Sequence, residues 1–148
     1  MATAYSDIFD LFMTLVDDYR LVALYQSNVA TFETYVQSWL IFAIVDFQDI
    51  CDQDLTDRND TTRTFNIDLT DENKVILSEL MVKYWLNKEV QDKLQMNLTI
   101  TDSDFKHYAE SQNYREKNAA LQVLIENTSQ RLLSYEYKKT DWTTIFEP

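Results

Sequence analysis

Apolar positions recur at helical spacing along most of this chain. Ile8, Phe9, Leu11, Phe12, Leu15, Val16 and Tyr19 follow the three-and-four rhythm of one helix face. Ser6 reads as its N-cap with Asp7 in the first turn. The Asp17–Asp18 pair reads as a break or bend, after which the helix continues to about Tyr25 and a short connection spans residues 26–30. A second helix opens near Thr31 with Phe32, Tyr35, Val36, Trp39, Leu40, Ala43 and Phe47 on one face. Ile41, Phe42, Ile44 and Val45 leave it apolar nearly all round. Such a helix is central in its domain or is covered by a neighbouring subunit.

Residues 46–64 then lose all periodicity and turn acidic, which predicts an exposed loop. After them Phe65, Ile67 and Leu69 alternate with polar residues as in a short strand. Thr70 caps a third helix with Asp71 and Glu72 in its first turn, burying Val75, Ile76, Leu80, Met81, Tyr84 and Trp85 and fading around Leu94. The frame from Phe65 to Asp71 recurs from Met96 to Asp102, as apolar–Asn–apolar–polar–apolar–Thr–Asp. Either both copies are strands that pair beside the bundle, or both are simply good helix starts. A last helix begins near Asp102 and runs to about Lys138, carrying a polar middle between Ala109 and Ala119. The fold class is therefore mainly α: a bundle of about four helices with room for a two-stranded β element. The domain takes in residues 1–138 with its acidic loop at 48–64, and residues 139–148 form an extended C-terminal arm.

The composition narrows the chemistry. The 148 residues include no glycine and only one proline, Pro148. Phosphate-cradling loops, nucleophile elbows and tight primed hairpins all lean on glycine's access to positive φ, so none of these is expected. The net charge of −12, from 25 acidic and 13 basic residues, repels phosphate and disfavours non-specific DNA binding. Cys51 is the only cysteine, which excludes an internal disulfide and fits a reducing cytoplasm. No basic segment and apolar run open the chain as a secretory signal would, and the most apolar stretch, 39–45, is too short to span a bilayer.

Candidate catalytic groups do not assemble in the sequence. His107 is the single histidine and lacks a nucleophile beside it. Asp49, Asp52, Asp54, Asp57 and Asp60 resemble a cation loop only in charge. A calcium loop wants glycine at the sixth position and glutamate at the twelfth, where Asp57 and Arg63 stand. A solvated acidic loop is the better reading. The aromatic residues lie among acids instead of the Lys and Arg of a nucleic-acid platform, so they are assigned to cores and interfaces. No enzyme and no cofactor or metal site is expected. The C-terminal segment keeps Trp142, Ile145 and Phe146 after the helical pattern is lost, as anchors of a docking peptide or as residues folded back onto their own bundle.

The segment DLTDRNDTTRTFNIDLTDENKVILSELMVKYWLNKEV, residues 54–90, with the order of elements around it, resembles the head-to-tail connector (adaptor) proteins of tailed bacteriophages. The resemblance implies a structural virion protein of the head–tail neck, assembled in the host cytoplasm as a twelve-subunit homo-oligomeric ring. Its partners would be the portal protein above and the next neck or tail protein below, with DNA only in non-specific transit and no membrane. The tail would be the portal-docking arm, with Trp142, Ile145 and Phe146 as anchors and Lys139 and Asp141 beside them. An arm of that length reaches about 30 Å. Asp52, Asp54, Asp57 and Asp60 would face the channel or the downstream partner. The competing readings are a small acidic inhibitor that mimics DNA, suggested by charge alone, and an enzyme with scattered carboxylates, suggested by nothing specific.

Overall fold

The computed structural model describes residues 1–99 and 104–140, with the side chains of 1–95 and 112–140. Its elements run β1 (Thr3–Ala4), α1 (Tyr5–Leu15), α2 (Tyr19–Ser27), α3 (Val29–Phe47), β2 (Arg58–Asn59), β3 (Thr64–Phe65), α4 (Asp71–Thr99) and α5 (Asp104–Lys139). Among the described residues the chain is a mainly α bundle with a small antiparallel sheet.

Helix α4 is the axis of the bundle, with α1 and α3 against it and α5 along it. Its first half therefore has no solvent face of any width: Ile76, Leu77, Leu80 and Met81 are all buried. From α1 come Ile8, Phe9 and Phe12, from α3 Phe32, Val36, Leu40, Ala43, Ile44 and Phe47. Fully burying each of the larger side chains contributes about 1.5–3 kcal/mol. Helix α5 runs antiparallel to α4, with ion pairs Lys138–Glu72 at 3.0 Å, Arg131–Glu79 at 3.7 Å and Lys117–Glu89 at 3.4 Å. Its polar middle, around residues 112–118, does not interrupt the helix, which runs through it.

The break expected at Asp17–Asp18 is present, and Asp18 is its cause. Its carboxylate accepts the Arg20 backbone N–H at 2.9 Å and so caps α2. The connection expected over residues 26–30 shrinks to Asn28 alone. The Asn28 N–H closes α2 on the Leu24 carbonyl at 2.9 Å, while its side-chain oxygen accepts from Thr31 N at 3.0 Å to open α3. One residue serves both helix ends.

Two expectations, at the N-terminus and at the repeat, are corrected. Ser6 is not the N-cap of α1: the helix starts at Tyr5, and Ala4 precedes it without any side-chain cap. The Tyr5 N–H instead donates to the Arg63 carbonyl at 2.9 Å, so a tertiary contact replaces the local one. The repeated frame does not pair with itself. Strand β3 lies between β1 and β2, with Thr3 opposite Phe65 and Arg58 opposite Phe65 on the other side. The second copy continues α4 through Thr99, and its residues 100–102 lie outside the described residues. Thr70 does precede α4 as expected, accepting from Asn73 N at 3.3 Å.

The acidic segment is more ordered than its composition predicts. Residue 47 still belongs to α3, and Cys51 and Leu55 are buried in the core cluster. Arg63 sits at φ 55, a left-handed conformation that is uncommon for a long side chain. Its guanidinium holds it there, donating to Gln37 Oε1 at 3.0 Å, Glu33 Oε2 at 2.8 Å and Thr34 Oγ1 at 2.7 Å along α3.

Candidate interaction site

The acidic loop and the C-terminal turn of α5 meet at one place. Tyr135, buried on the α4 side of α5, puts its ring edge against Phe47 with centroids 5.0 Å apart. Its hydroxyl donates to Asp52 Oδ1 and accepts the Asp52 backbone N–H at 3.1 Å. The fully buried Asn73 amide also donates to Asp52 Oδ1, at 2.9 Å, and to Gln53 Oε1 at 2.7 Å. Gln53 in turn accepts from Thr70 N at 2.8 Å and donates to the Asp68 carbonyl at 2.9 Å. One turn on, Lys139 Nζ donates to the carbonyls of Ile50 at 3.2 Å and Cys51 at 3.0 Å. The base of the C-terminal segment is thus clamped to the loop and to the first turn of α4.

The electrostatics derive from these contacts. The Asn73 amide, then the Tyr135 hydroxyl, hold the Asp52 carboxyl below its ordinary range. Burial, reinforced by the Asp52 carboxylate, pushes the Tyr135 hydroxyl up. Burial also pushes the Cys51 thiol up, which makes it a poor nucleophile.

Asp54, Asp57 and Asp60 are likewise turned toward their own chain. Asp54 accepts from Thr56 Oγ1 at 2.6 Å and Thr56 N at 2.9 Å, and the Thr56 hydroxyl leads in lowering its pKa. Asp57 accepts from Asn66 Nδ2 at 2.7 Å. Asp60 accepts from the Tyr5 hydroxyl at 2.5 Å and from Arg58 Nε at 3.2 Å. None of these pairings is evident in the sequence, because each joins residues from different elements or needs the turn already formed. Among the described residues no group of three or more His, Cys, Asp and Glu side chains is placed to hold a metal ion.

Of the anticipated arm residues, Lys139 ends α5 and belongs to the clamp, so the bundle reaches one residue beyond the boundary at 138. Asp141, Trp142, Ile145 and Phe146 lie outside the described residues, as does the side chain of His107.

A second charged cluster joins α2, α4 and α5. Arg20 bridges Asp18 at 3.1 Å and Glu89 at 2.6 Å, Lys117 meets Glu89 at 3.4 Å, and Trp85 Nε1 donates to Asp18 at 3.4 Å. A cleft of about 410 Å³ opens over them. Its charges are mostly spent on one another, which makes it a helix-to-helix tie.

Exposed apolar side chains occur on every helix, with the largest groups on α2, α3 and α5. On α3, Tyr35, Phe42 and Val45 point away from the core, with Phe42 52% and Val45 55% exposed. Phe42 leans on Tyr84 of α4, ring centroids 5.2 Å apart, and Tyr84 and Lys83 both bond Asp46 of α3. On α5, Val123 and Leu133 are 58% and 55% exposed. Among the described residues no helix is long and apolar enough to cross a membrane.

No protein-family model, curated protein or solved structure matches this chain.

Proposed function

We propose that this chain is a non-catalytic structural protein of a tailed-phage particle: a head-to-tail connector that forms a ring below the portal, extends the DNA channel and docks the next neck or tail protein. The identity of the assembly comes from the resemblance of residues 54–90 and the order of elements around them. The observation that carries an assembly role is the apolar face of α3, where Tyr35, Phe42 and Val45 are about half exposed. In a chain of net charge −12, three large apolar side chains along one helix face suit a surface that meets another protein. The clamp at Tyr135 and Lys139 supports a docking role for the segment beyond it, because it fixes the point from which residues 141–148 depart.

In this reading the ring has twelve copies, the α3 face meets a neighbouring subunit, and Trp142, Ile145 and Phe146 engage the portal. The particle is the working location, reached after assembly in the host cytoplasm. DNA passes without specific contact, since a negatively charged wall does not grip it. The alternative, an acidic inhibitor that mimics DNA, draws on the net charge. Its loop carboxylates would have to leave the donors of their own chain to bind a basic groove, which weighs against it.

The test is a pull-down against the portal ring encoded beside this chain, with full-length protein, with protein ending at Thr140, and with Phe42→Asp. Connector function predicts that the full chain binds, that truncation abolishes binding, and that Phe42→Asp blocks ring formation seen by electron microscopy. A chain with no portal gene beside it, or one whose truncation leaves binding unchanged, overturns the proposal.

A further inference from the structure

The outward face of α5 carries a heptad. Ala119, Val123, Glu126, Gln130, Leu133 and Tyr137 are spaced four, three, four, three and four residues apart, and all are exposed. The opposite face of the same helix, with Leu121, Thr128 and Tyr135, is buried toward α4 and the loop. A seam of this spacing on an otherwise solvated helix face is the pattern that pairs two helices.

The seam is complementary to itself under one alignment. With two copies of α5 antiparallel about a two-fold axis at Thr128, Val123 of one copy meets Leu133 of the other. Ala119 then meets Tyr137, a small residue against a large one, and Glu126 meets Gln130, a carboxylate against an amide donor. Antiparallel coiled coils pair a positions with d positions, and each of these layers does so. A parallel alignment would instead set Glu126 against Glu126, a like-charge contact in a chain already at −12.

The flanks agree. The positions bordering the seam's layers are Ala120, Gln122, Asn127, Ser129, Ser134 and Glu136, of which Glu136 alone is charged, and in the antiparallel alignment it lies level with Ala120 of the other copy. In a chain with 38 charged side chains, 25 of them acidic, a border with a single charge among its six positions limits the repulsion that would otherwise hold two copies apart.

We infer that this protein self-associates in solution as a two-fold dimer through the outer face of α5, in antiparallel alignment with Val123 packed on Leu133 of the second copy. Such a contact is isologous and closes on two subunits. It is a state separate from a ring built through α3, and it stands whether or not the connector reading holds.

The experiment uses disulfide trapping in the full chain. Val123→Cys and Leu133→Cys are made separately, one carrying a size tag, and incubated with oxidised glutathione. Within one chain these positions are about 15 Å apart along the helix, too far for a bridge. Both sites are exposed, so the variants should fold, and the buried Cys51 is a poor competitor. The expected result is a mixed disulfide between the two variants on mixing, with little bridging by either variant alone. Sedimentation of the unmodified chain should show a concentration-dependent dimer that Leu133→Glu weakens about tenfold or more. Bridging by Val123→Cys alone as strong as in the mixture would mean parallel pairing and overturn the alignment. A monomer at every concentration, with no mixed disulfide, would mean that residues 141–148 or another protein covers the seam, and would overturn the dimer. Portal binding by the full chain is unaffected by either outcome, so the two proposals fail separately.

Discussion

Tyr135→Phe tests the clamp between α5 and the loop with the smallest possible change. The ring and its contact with Phe47 survive, so no cavity of consequence opens. The variant loses the donor to Asp52 Oδ1 and the acceptor for the Asp52 N–H. A hydrogen bond to a charged group contributes about 1.5–3 kcal/mol and a neutral one about 1 kcal/mol. Asp52 is exposed, so water takes over part of both, and a net loss of about 2 kcal/mol is expected. In a chain of this length that lowers Tm by about 4–8 °C. The pH dependence makes the test specific. The Asp52 carboxyl lies below its ordinary 3.8 in the folded chain, held there by Asn73 first and Tyr135 second. A lowered carboxyl adds stability that is fully present above the unfolded value and is lost as pH falls through the folded one. The gap between parent and variant should therefore be flat from neutral pH down to about 5 and narrow below 3.8. Urea melts followed by far-ultraviolet circular dichroism measure both. A gap under about 0.5 kcal/mol at neutral pH, or one that persists unchanged in acid, refutes the assigned role of this hydroxyl.

Other contacts give three more expected outcomes. Arg63→Gly relieves the left-handed backbone but removes three side-chain hydrogen bonds to α3, so a net destabilisation of about 1–2 kcal/mol is expected, and a stabilised variant in thermal melts would show that backbone strain outweighs the guanidinium contacts. The hydroxyls of Tyr5, Tyr84 and Tyr135 are all raised above 10.0 by burial and then by Asp60, Asp46 and Asp52 respectively. Their contribution is complete below pH 10.0 and is lost as pH rises toward the folded values, so the chain should lose stability in alkali, and the triple Phe variant should lose less of it in parallel melts. Leu40→Ala, at a fully buried site between α3 and its neighbours, should cost about 2–5 kcal/mol in urea unfolding, and a cost near zero would mean that the core there is not packed as described.

The helices are legible in the sequence because their faces are long and amphipathic or wholly buried: the cap at Thr70 and the α3 face stand there as they stand in the bundle, except that Tyr35 is exposed and Ile44 is buried. The break at Asp18 is legible because two adjacent acids interrupt the rhythm and one of them caps α2. The start of α1 is not, because the donor–acceptor pair that sets it joins Tyr5 to Arg63 across the whole N-terminal half. The same reason hides the sheet. A strand of two residues has no period of its own, and β1 pairs with β3 by virtue of where α1 and the loop place them. The repeated Asn–Thr–Asp frame misleads in the opposite direction, since its second copy continues α4 through Thr99. The α5 seam is hard to see in the sequence because Glu126 and Gln130 occupy two of its layers and blur the apolar spacing.

Load on the C-terminal segment has a defined path through this molecule. A pull at Thr140 meets Lys139 held by two loop carbonyls, Lys138 held by Glu72, and Tyr135 held by Asp52. Those attachments tie the final turns of α5 to two separate parts of the chain, the loop and α4. Traction from a docked partner is delivered into the loop and the first turn of α4, one turn ahead of the buried Ile76 and Leu77.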